Sequence, residues 1–594
     1  MPFHPVPGER PVMFNAVRRH PLGRSSNQST AASRLEVIEK LLEPHAASLI
    51  DVYFDKVHKC YPLLDEAAFR RQYRTAKTRL SPALLASLYA QSLVYWRQTL
   101  PAGHHCPDVR YIWNQACEAL YFELYQSPGL STIVAILLNI SGRPLSSMIG
   151  NATLLGAAIS LAHCLGLNRN CLSWALSDAE KGHRIRLWWA ITIYDKWSSV
   201  AYGTPPQIQS SQHDVPYPSQ AMFISKNTGP GHDNGAGDDD DDDDETIPQS
   251  LMDDSSIFIA FVTLTDVVDV YLRHVFDLTT DLQQPGVRGQ DAGTFSTELE
   301  NRLAQWADSL PHDLRRTIIR GTTVDTPGSA NLRLSYLYIR LLSRKLGLDS
   351  GRHHLHQHTS PAAQTQRQRH AREAAEDIVM FVQELSRGAL ADFWQSFNAF
   401  ALSSTAAFLI RSALQQESQQ QQQRQQQPVT PKRSTAGSSR VATDWHAAGS
   451  TSAIASDEIY IKLAADLIAA LDSYRREAGW DLANICIAQY APVVEKIQAG
   501  LACASSAPPG SAATPEPTRD HGMNSGAGAV GSGSAGTPLQ DAQQSAHVIS
   551  GQGQRGQREQ IDAQEQSYVP FDMTNDLFVN DLFPEYWDNM FSPL

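Results

Sequence analysis

The sequence predicts an all-α protein: a helical body, superhelical or bundle-like, with a long disordered insert and disordered tails. One reason is spacing, because apolar residues such as Leu49, Tyr53 and Val57 recur every four positions, on one helical face. Another is that prolines stand near the starts of several apolar stretches, where a helix tolerates them. In addition, no stretch shows the strict apolar–polar alternation of a half-buried strand bounded by turn residues.

Helix-start and helix-stop residues divide the body into successive helices. Ser33, with Glu36 three residues later, is predicted to cap the first helix, and Pro62 ends the helical stretch that follows. Ser177 is predicted to cap a long helix over 178–201. The remaining predicted helices cover 81–100, 108–127, 131–141, 151–167, 254–278, 294–309, 331–346, 366–387 and 391–414.

Composition divides the chain into segments of different character. The helical regulatory body is predicted over 35–415, and an acidic loop insert at 219–250, rich in Gly and Asp, interrupts it. Segments low in apolar residues cannot bury a core and are predicted to be disordered. The other predicted segments are a basic disordered arm (1–34), a Gln- and Ser-rich linker (416–452), a helical segment (453–503), a disordered linker (504–567) and an acidic–aromatic segment (568–594).

Charge and hydrophobicity limit the classes of function. Hydrophobic residues make up 42% of the chain, enough for a sizeable core, and the formal net charge is −13. A domain that grips a phosphate backbone usually presents a basic stripe, and none is evident in the body. The first 34 residues are locally basic, and we interpret them as a solvated arm.

Cysteine usage and hydropathy indicate an intracellular protein with no membrane partner. The seven cysteines are scattered and form no C-x2-C pair, which favours reduced thiols. The N-terminus lacks the charged-then-apolar pattern of a secretory signal. The longest unbroken apolar run, Ile133–Leu138, is far too short to span a bilayer.

No motif supports an enzyme. The Asp run at 238–244 is flanked by Gly and fixes no geometry, whereas Mg²⁺ demands tight octahedral coordination from positioned oxygens. The G-x-G-x-x-G match at 531–536 lies in the predicted disordered tail, without the strand and helix that phosphate binding needs. No G-x-S-x-G occurs. A metal-dependent all-α enzyme therefore stays a remote alternative, and no cofactor is predicted for this chain.

The C-terminal segment 568–594 has the composition of a transcriptional activation segment. It contains seven aromatic residues, five acidic residues and no Lys or Arg. Interleaved acids keep the aromatic rings solvated and available to a partner, in the manner of amphipathic activation segments. Helix-in-groove docking onto the transcription machinery or a co-activator would use the anchors Phe578, Phe583, Trp587 and Phe591. The alternative is a C-terminal helix that packs back onto the body.

The densest unusual cluster of the body lies in the predicted helix 178–201. Arg184, Arg186, Trp188 and Trp189 are followed two turns later by Asp195 and Lys196. The physical interpretation is a packed central helix with buried or half-buried ion pairs, in which the two arginines lie on different faces and pair with acids on neighbouring helices.

This cluster also carries a resemblance. Together with Gly203-Thr204-Pro205-Pro206 and Asp214-Val215-Pro216, it resembles the fungal-specific transcription factor domain, the middle homology region of fungal binuclear zinc cluster regulators. Stretches that start at Tyr53, Ala157, Leu334 and Phe393 also resemble parts of this domain, so the resemblance covers roughly 47–415. The residues that carry the family motif are Arg184, Arg186, Trp188, Trp189, Asp195, Lys196, Gly203, Pro205 and Asp214.

The resemblance implies a nuclear transcription regulator, an activator of metabolic or nutrient-utilisation genes. It is also compatible with a homodimer. Two departures from the family pattern matter. Thr204 stands where the family usually has Arg, so any ion pair of that Arg is lost. The 34 residues before the body contain no Cys, whereas the family binds DNA through an N-terminal six-cysteine zinc cluster. We therefore expect either a zinc-cluster DNA-binding domain missing from this chain, or a co-regulator recruited by a DNA-bound partner.

Overall fold

The computed structural model describes residues 29–99, 106–126, 128–142, 148–223, 249–277, 287–322, 324, 326–353, 361–426 and 448–505. Every regular element among these residues is helical, which confirms the predicted all-α class. The predicted arm up to residue 28, most of the acidic insert, much of the 416–452 linker and the activation segment lie outside the described residues.

The described part of the chain forms seventeen α-helices. A π-helical turn, Tyr53–His58, continues the second helix, and short 3₁₀ turns occur at Lys77–Arg79, Ser210–Gln212, Gln220–Phe223 and Asp481–Ala483. In chain order the helices are α1 (Thr30–Leu42), α2 (Ala46–Val52), α3 (Glu66–Ala76), α4 (Pro82–Thr99), α5 (Val109–Gln126), α6 (Leu130–Ser141), α7 (Met148–Cys164), α8 (Asp178–Tyr202), α9 (Gln249–Phe276), α10 (Val287–Ser309), α11 (His312–Arg320), α12 (Ser329–His353), α13 (Pro361–Gln383), α14 (Arg387–Leu390), α15 (Asn398–Gln426), α16 (Ala448–Ala478) and α17 (Asn484–Ser505).

The first helix begins one turn earlier than its sequence pattern predicts. Ser29 has extended backbone angles, and its hydroxyl oxygen accepts a hydrogen bond from the N–H of Ala32 at 3.1 Å. The predicted cap at Ser33 is therefore wrong, because Ser33 already lies inside α1. Two serines four residues apart both satisfy the capping preference, and the pattern alone does not choose between them.

A helix predicted over 391–414 starts later in the structure. The chain forms the short α14, then leaves helical geometry until α15 begins at Asn398. The carboxylate of Asp392 accepts hydrogen bonds from the N–H groups of Gly328 and Phe393, at 2.7 and 2.8 Å. These bonds compete with helix continuation, since a short acidic side chain offers the backbone another partner. At its other end α15 extends to Gln426, into the Gln-rich tract assigned to a linker.

The helices up to Cys503 pack into one compact unit. In its N-terminal part α4 lies against α1, α2, α5 and α6. In its C-terminal part α12 contacts α9, α10, α11, α13 and α15, and α16 packs on α13 and α15. α8 stands between the two parts, because it contacts α6 and α7 on one side and α9 and α15 on the other.

α8 is the central helix of the body. It begins after Ser177, whose hydroxyl accepts from the N–H of Glu180 at 3.2 Å, as predicted for its cap. Every residue from Ile185 to Ala201 is buried, although the stretch contains Arg186, Asp195 and Lys196. Charged side chains are almost never fully buried unless they are paired, so each of these three needs a partner.

One described helix, Ser255–Phe276 within α9, is long and apolar enough to cross a membrane by composition. Because 72% of that window is buried inside the body, where α9 packs against α8, α10 and α12, it is a core helix of this unit.

Candidate functional site

The motif residues identified in the sequence lie in α8 and in the segment that follows it. Gly203 ends the helix with a left-handed φ of 65°, and the chain then turns back. We call residues 204–223 the return loop. Its 3₁₀ turns are short, so its position depends on side chains that reach it from α8.

Asp195 holds the first part of the return loop. Its two carboxylate oxygens accept hydrogen bonds from the N–H groups of Gln207 and Ile208, both at 2.9 Å. Burial raises the pKa of Asp195, although Lys196 and the two N–H donors oppose the shift. A carboxylate that accepts two backbone N–H groups caps a turn that has no regular hydrogen bonds of its own.

Lys196 is bound by the same part of the loop and by α9. Its ammonium donates to the carbonyl oxygen of Ile208 and lies 2.8 Å from the carboxylate of Asp269 and 3.6 Å from that of Asp195. Only 3% of the Lys196 side chain is exposed. Arg273 lies 3.1 Å from Asp269 and connects this network to the surface, since its side chain is 60% exposed. The buried charge is thus paired on both sides.

Trp189 holds the middle of the return loop. Its indole N–H donates to the carbonyl oxygen of Pro216 at 2.8 Å, and the ring of Tyr217 stacks on it with a centroid separation of 5.1 Å. The hydroxyl of Tyr217 donates in turn to Asp266 on α9. This part of the loop is therefore clamped between α8 and α9.

The two motif arginines bond to backbone carbonyls rather than to acids on neighbouring helices. Arg186 donates to the carbonyl oxygen of Met222, at the end of the return loop, and its guanidinium lies over the Phe223 ring at 5.2 Å. Arg184 donates to the carbonyl oxygen of Leu165 and approaches Glu180 of its own helix at 3.9 Å. The charge of the two arginines led us to expect acidic partners on other helices. Backbone carbonyl acceptors cannot be recognised from a sequence, because every residue has one.

Asp214 ties the return loop to the turn after α7. Its carboxylate accepts from the N–H of Asn170 at 2.6 Å and pairs with Arg169 at 2.9 Å. The amide of Asn168 donates to the carbonyl of Gln212 at 3.1 Å. This side of the loop is exposed, so these bonds fix its path more than they add stability.

Two motif residues have different surroundings. Trp188 is fully buried and packs against the rings of His163 and His213, with centroid separations of 5.7 and 5.4 Å. Pro205 is exposed, as is Thr204 beside it. Thr204 thus lies on the surface at the start of the return loop.

These contacts have an order. As the residue numbers on α8 fall from 196 through 189 to 186, those of their loop partners rise from 208 through 216 to 222. The return loop therefore runs antiparallel along α8. Near its end, a Cβ atom at Gly182 would stand 3.0 Å from the Met222 carbonyl oxygen, so the bare glycine lets the loop approach. The role of the motif side chains here is structural, because they hold the return loop against the central helix.

This geometry coincides with a family match. The family model described as the fungal specific transcription factor domain matches residues 50–308, a span that contains α8, the return loop and α9. Residues 50–308 form a fungal-specific transcription factor domain. The resemblance found in the motif residues is confirmed, although the matched span ends well before residue 415.

Curated relatives of the chain are fungal regulators. The chain is similar to an uncharacterised transcriptional regulatory protein of Schizosaccharomyces pombe, with 36% identity over 29% of this chain and 27% of that protein. It is 33% identical to the transcriptional activator protein DAL81 of Saccharomyces cerevisiae, over 28% of this chain and 17% of the relative. It is 25% identical to the acetamidase regulatory protein of Aspergillus fumigatus, over 50% of this chain and 35% of the relative. The chain thus spans about a third or less of the length of these relatives. No solved structure matches it.

The body continues beyond the matched span without a break in packing. The Tyr194 hydroxyl of α8 donates to the Gln395 side-chain oxygen at 2.7 Å, and the Gln395 N–H donates to Asn331 at 2.7 Å. Asn331 also accepts from the amide of Asn398 at 3.0 Å. This buried network joins the fungal-specific transcription factor domain to α12 and α15.

Sequence reasoning missed the partners that complete the motif. Asp269 stands in a mainly apolar stretch of α9, and an acid in such a stretch was the available signal for a buried ion pair. Met222 and Pro216 act through carbonyl oxygens, which any residue has. Among the described residues no group of three or more His, Cys, Asp or Glu is placed to hold a metal ion. The Asp run and the four activation anchors Phe578, Phe583, Trp587 and Phe591 lie outside the described residues.

Proposed function

We propose that the chain is a nuclear transcription regulator, an activator of metabolic or nutrient-utilisation genes, and not an enzyme. The observation that carries this proposal is the fungal-specific transcription factor domain at 50–308, with its motif side chains committed to fastening the return loop. Relatives named as a transcriptional activator and as an acetamidase regulatory protein support the same reading of the whole chain.

In this proposal two parts of the chain have separate roles. The helical body is the regulatory part, and the segment 568–594 recruits the transcription machinery or a co-activator. The support for recruitment is composition: aromatic residues alternate with acids, and no Lys or Arg interrupts them. DNA contact would come from a zinc-cluster domain or from a DNA-bound partner.

The activating role can be tested with a tethered segment. Residues 568–594 are fused to an unrelated DNA-binding domain, and the output of a reporter gene is measured in a fungal host. We expect activation that is abolished when Phe578, Phe583, Trp587 and Phe591 are all changed to Ala, because the anchors of helix-in-groove docking are apolar. A matched variant with Thr574→Ala and Asn580→Ala keeps the rings and should activate like the parent.

Two results would contradict this assignment. Activity that survives the fourfold change would show that the aromatic anchors are dispensable. A tethered segment with no activity at all would remove the activating role, and the same fusion to the full chain would then show whether the body represses or recruits.

A further inference from the structure

Three neighbouring aromatic side chains are exposed at the C-terminal end of α5. Tyr121 is 53% exposed, Phe122 37% and Tyr125 92%. Because one or four positions separate them in the helix, they lie on one side of it, and we call them the aromatic face. Single apolar residues are normal on a protein surface, whereas a group of adjacent exposed rings marks a contact surface.

The same side of α5 is covered by α1 one turn earlier. Arg34 of α1 donates to the side-chain oxygen of Gln115 at 3.1 Å and forms an ion pair with Glu118 at 2.8 Å. Glu118 precedes the members of the aromatic face by three, four and seven residues, so it shares their side of the helix. The aromatic face is therefore the continuation of the interface between α1 and α5.

The directions of the helices follow from contacts with α4. The Tyr89 hydroxyl of α4 donates to Glu39 of α1 at 3.3 Å, and further along both helices the ring of Trp96 lies 4.9 Å from that of His45. α1 thus runs parallel to α4. The opposite holds for α5, because Glu123 near its end accepts from the hydroxyl of Ser81, just before α4 begins.

α1 therefore runs antiparallel to α5, and its first turn lies towards the end of α5. At 1.5 Å per residue, Thr30 is about 6 Å before Arg34 along α1, and Phe122 is about 6 Å beyond Glu118 along α5. Since α1 begins at Thr30, its cover stops at the level of Phe122, and Tyr125 projects past it. The chain that precedes Ser29 joins the body at the edge of the aromatic face.

The composition of the arm up to residue 28 is complementary to this surface. Residues 1–28 contain four arginines, five prolines and a single acid, Glu9. From Tyr111 to Gln126, α5 has two acids and no Lys or Arg. Guanidinium groups stack on aromatic rings, and proline-rich segments dock on aromatic surfaces. Arg70 over Phe54, at 4.7 Å, shows the same contact within the body.

We infer that the arm, residues 1–28, binds back onto the aromatic face, with its arginines over the rings of Tyr121 and Tyr125. A segment already tethered at Ser29 has a high effective concentration at this surface, which favours it over a second copy of the chain. This inference goes beyond the proposed function, because the contact would form whether or not the chain activates transcription.

The test is nitration of the full chain by tetranitromethane, with the rate at each tyrosine followed by mass spectrometry. Tyr111 is the internal reference, because it lies on the same helix, about 21 Å from Tyr125. Tyr111 is 45% exposed and Tyr125 92%, so an uncovered aromatic face predicts faster nitration of Tyr125. We expect slower nitration of Tyr125 than of Tyr111, at every protein concentration.

The combined changes Arg18→Gln, Arg19→Gln and Arg24→Gln decide the assignment, because they remove guanidinium groups without shortening the arm. We expect nitration of Tyr125 to become about tenfold faster than in the parent, the effect of about two lost cation–π contacts, while Tyr111 is unchanged. The matched control removes three cations from the linker instead, and should nitrate like the parent; its changes are Lys432→Gln, Arg433→Gln and Arg440→Gln.

Three results would overturn the inference. Faster nitration of Tyr125 than of Tyr111 in the parent would show that the aromatic face is free. Protection of Tyr125 that disappears on dilution would make a second copy of the chain the occupant. Protection that is equally strong in the arm variant would show that the arginines of the arm do not hold this contact.

Discussion

The ammonium of Lys196 lies 2.8 Å from the carboxylate of Asp269, and both side chains are almost completely removed from water. One comes from α8 and the other from α9, so the pair joins two helices of the fungal-specific transcription factor domain. Asp195 lies 3.6 Å from the same ammonium, but its two carboxylate oxygens accept hydrogen bonds from two backbone N–H groups. Asp269 is therefore the principal partner of the buried charge.

Asp269→Asn should destabilise the body by about 3 kcal/mol, because it leaves a buried ammonium without its nearest counter-charge. The measurement is the free energy of unfolding from denaturant titration. Arg273→Ala is the matched control, since it removes an exposed ion pair of the same carboxylate and should cost less than about 1 kcal/mol. Equal losses in the two variants would show that the Lys196–Asp269 pair is not the important contact.

Gly203→Ala should cost about 1 kcal/mol, because a Cβ atom disfavours the left-handed φ of 65° that ends α8. Gly203→Asn should cost less, since Asn tolerates this conformation. Hydrogen exchange of residues 204–223 should rise in the alanine variant as the return loop loosens. Gly479→Ala is the control, because Gly479 has a φ of 64° in open space and does not touch the loop. A Gly203→Ala chain as stable as the parent would refute the backbone argument.

Lowering the pH should destabilise the body through His58 and His183. Burial, and then the nearby charge of Arg186, lowers the pKa of His58 to about 3 and that of His183 to about 4. The folded-state pKa values lie below the unfolded value of about 6.5, so the unfolded chain binds more protons. Their contribution to stability is present above about pH 6.5 and is lost as the pH falls towards the folded-state values.

Since the two residues are partly exposed, we expect a loss of about 1 kcal/mol for each of them between about pH 7 and pH 5. Denaturant titrations at the two pH values measure the difference. His58→Gln should flatten the dependence, and His312→Gln should not, because His312 is exposed on α11. A slope unchanged by His58→Gln would exclude this residue as the source.

The sequence was informative where one face of a helix decides its position. The Ser177 cap predicted the start of α8, the predicted range 178–201 ends one residue short of the observed helix, and the motif residues marked it as the central helix. The sequence was uninformative where backbone atoms are the partners. Arg186 bonds to a carbonyl of Met222, and Asp195 to the N–H groups of the return loop, and such contacts depend on the path of the chain rather than on side-chain identity.

Competition between local signals explains the errors at helix ends. Ser29 and Ser33 offer equivalent caps to α1, and the structure shows the capping bond at Ser29. The start of α15 was misplaced because Asp392 bonds to Gly328, a residue 64 positions away in the chain. Neither preference can be recovered from a local window of sequence.

The hydrogen bond from Tyr194 to Gln395 limits where this protein can be truncated. A fragment limited to residues 50–308 would lose α12 and α15, and Tyr194 and Trp197 would then face water instead of Gln395 and Phe397. It would also lose α1, which packs on α4 and α5. We therefore expect the span shared with the family not to fold by itself, and truncations meant to isolate the regulatory body should keep α1, α12 and α15.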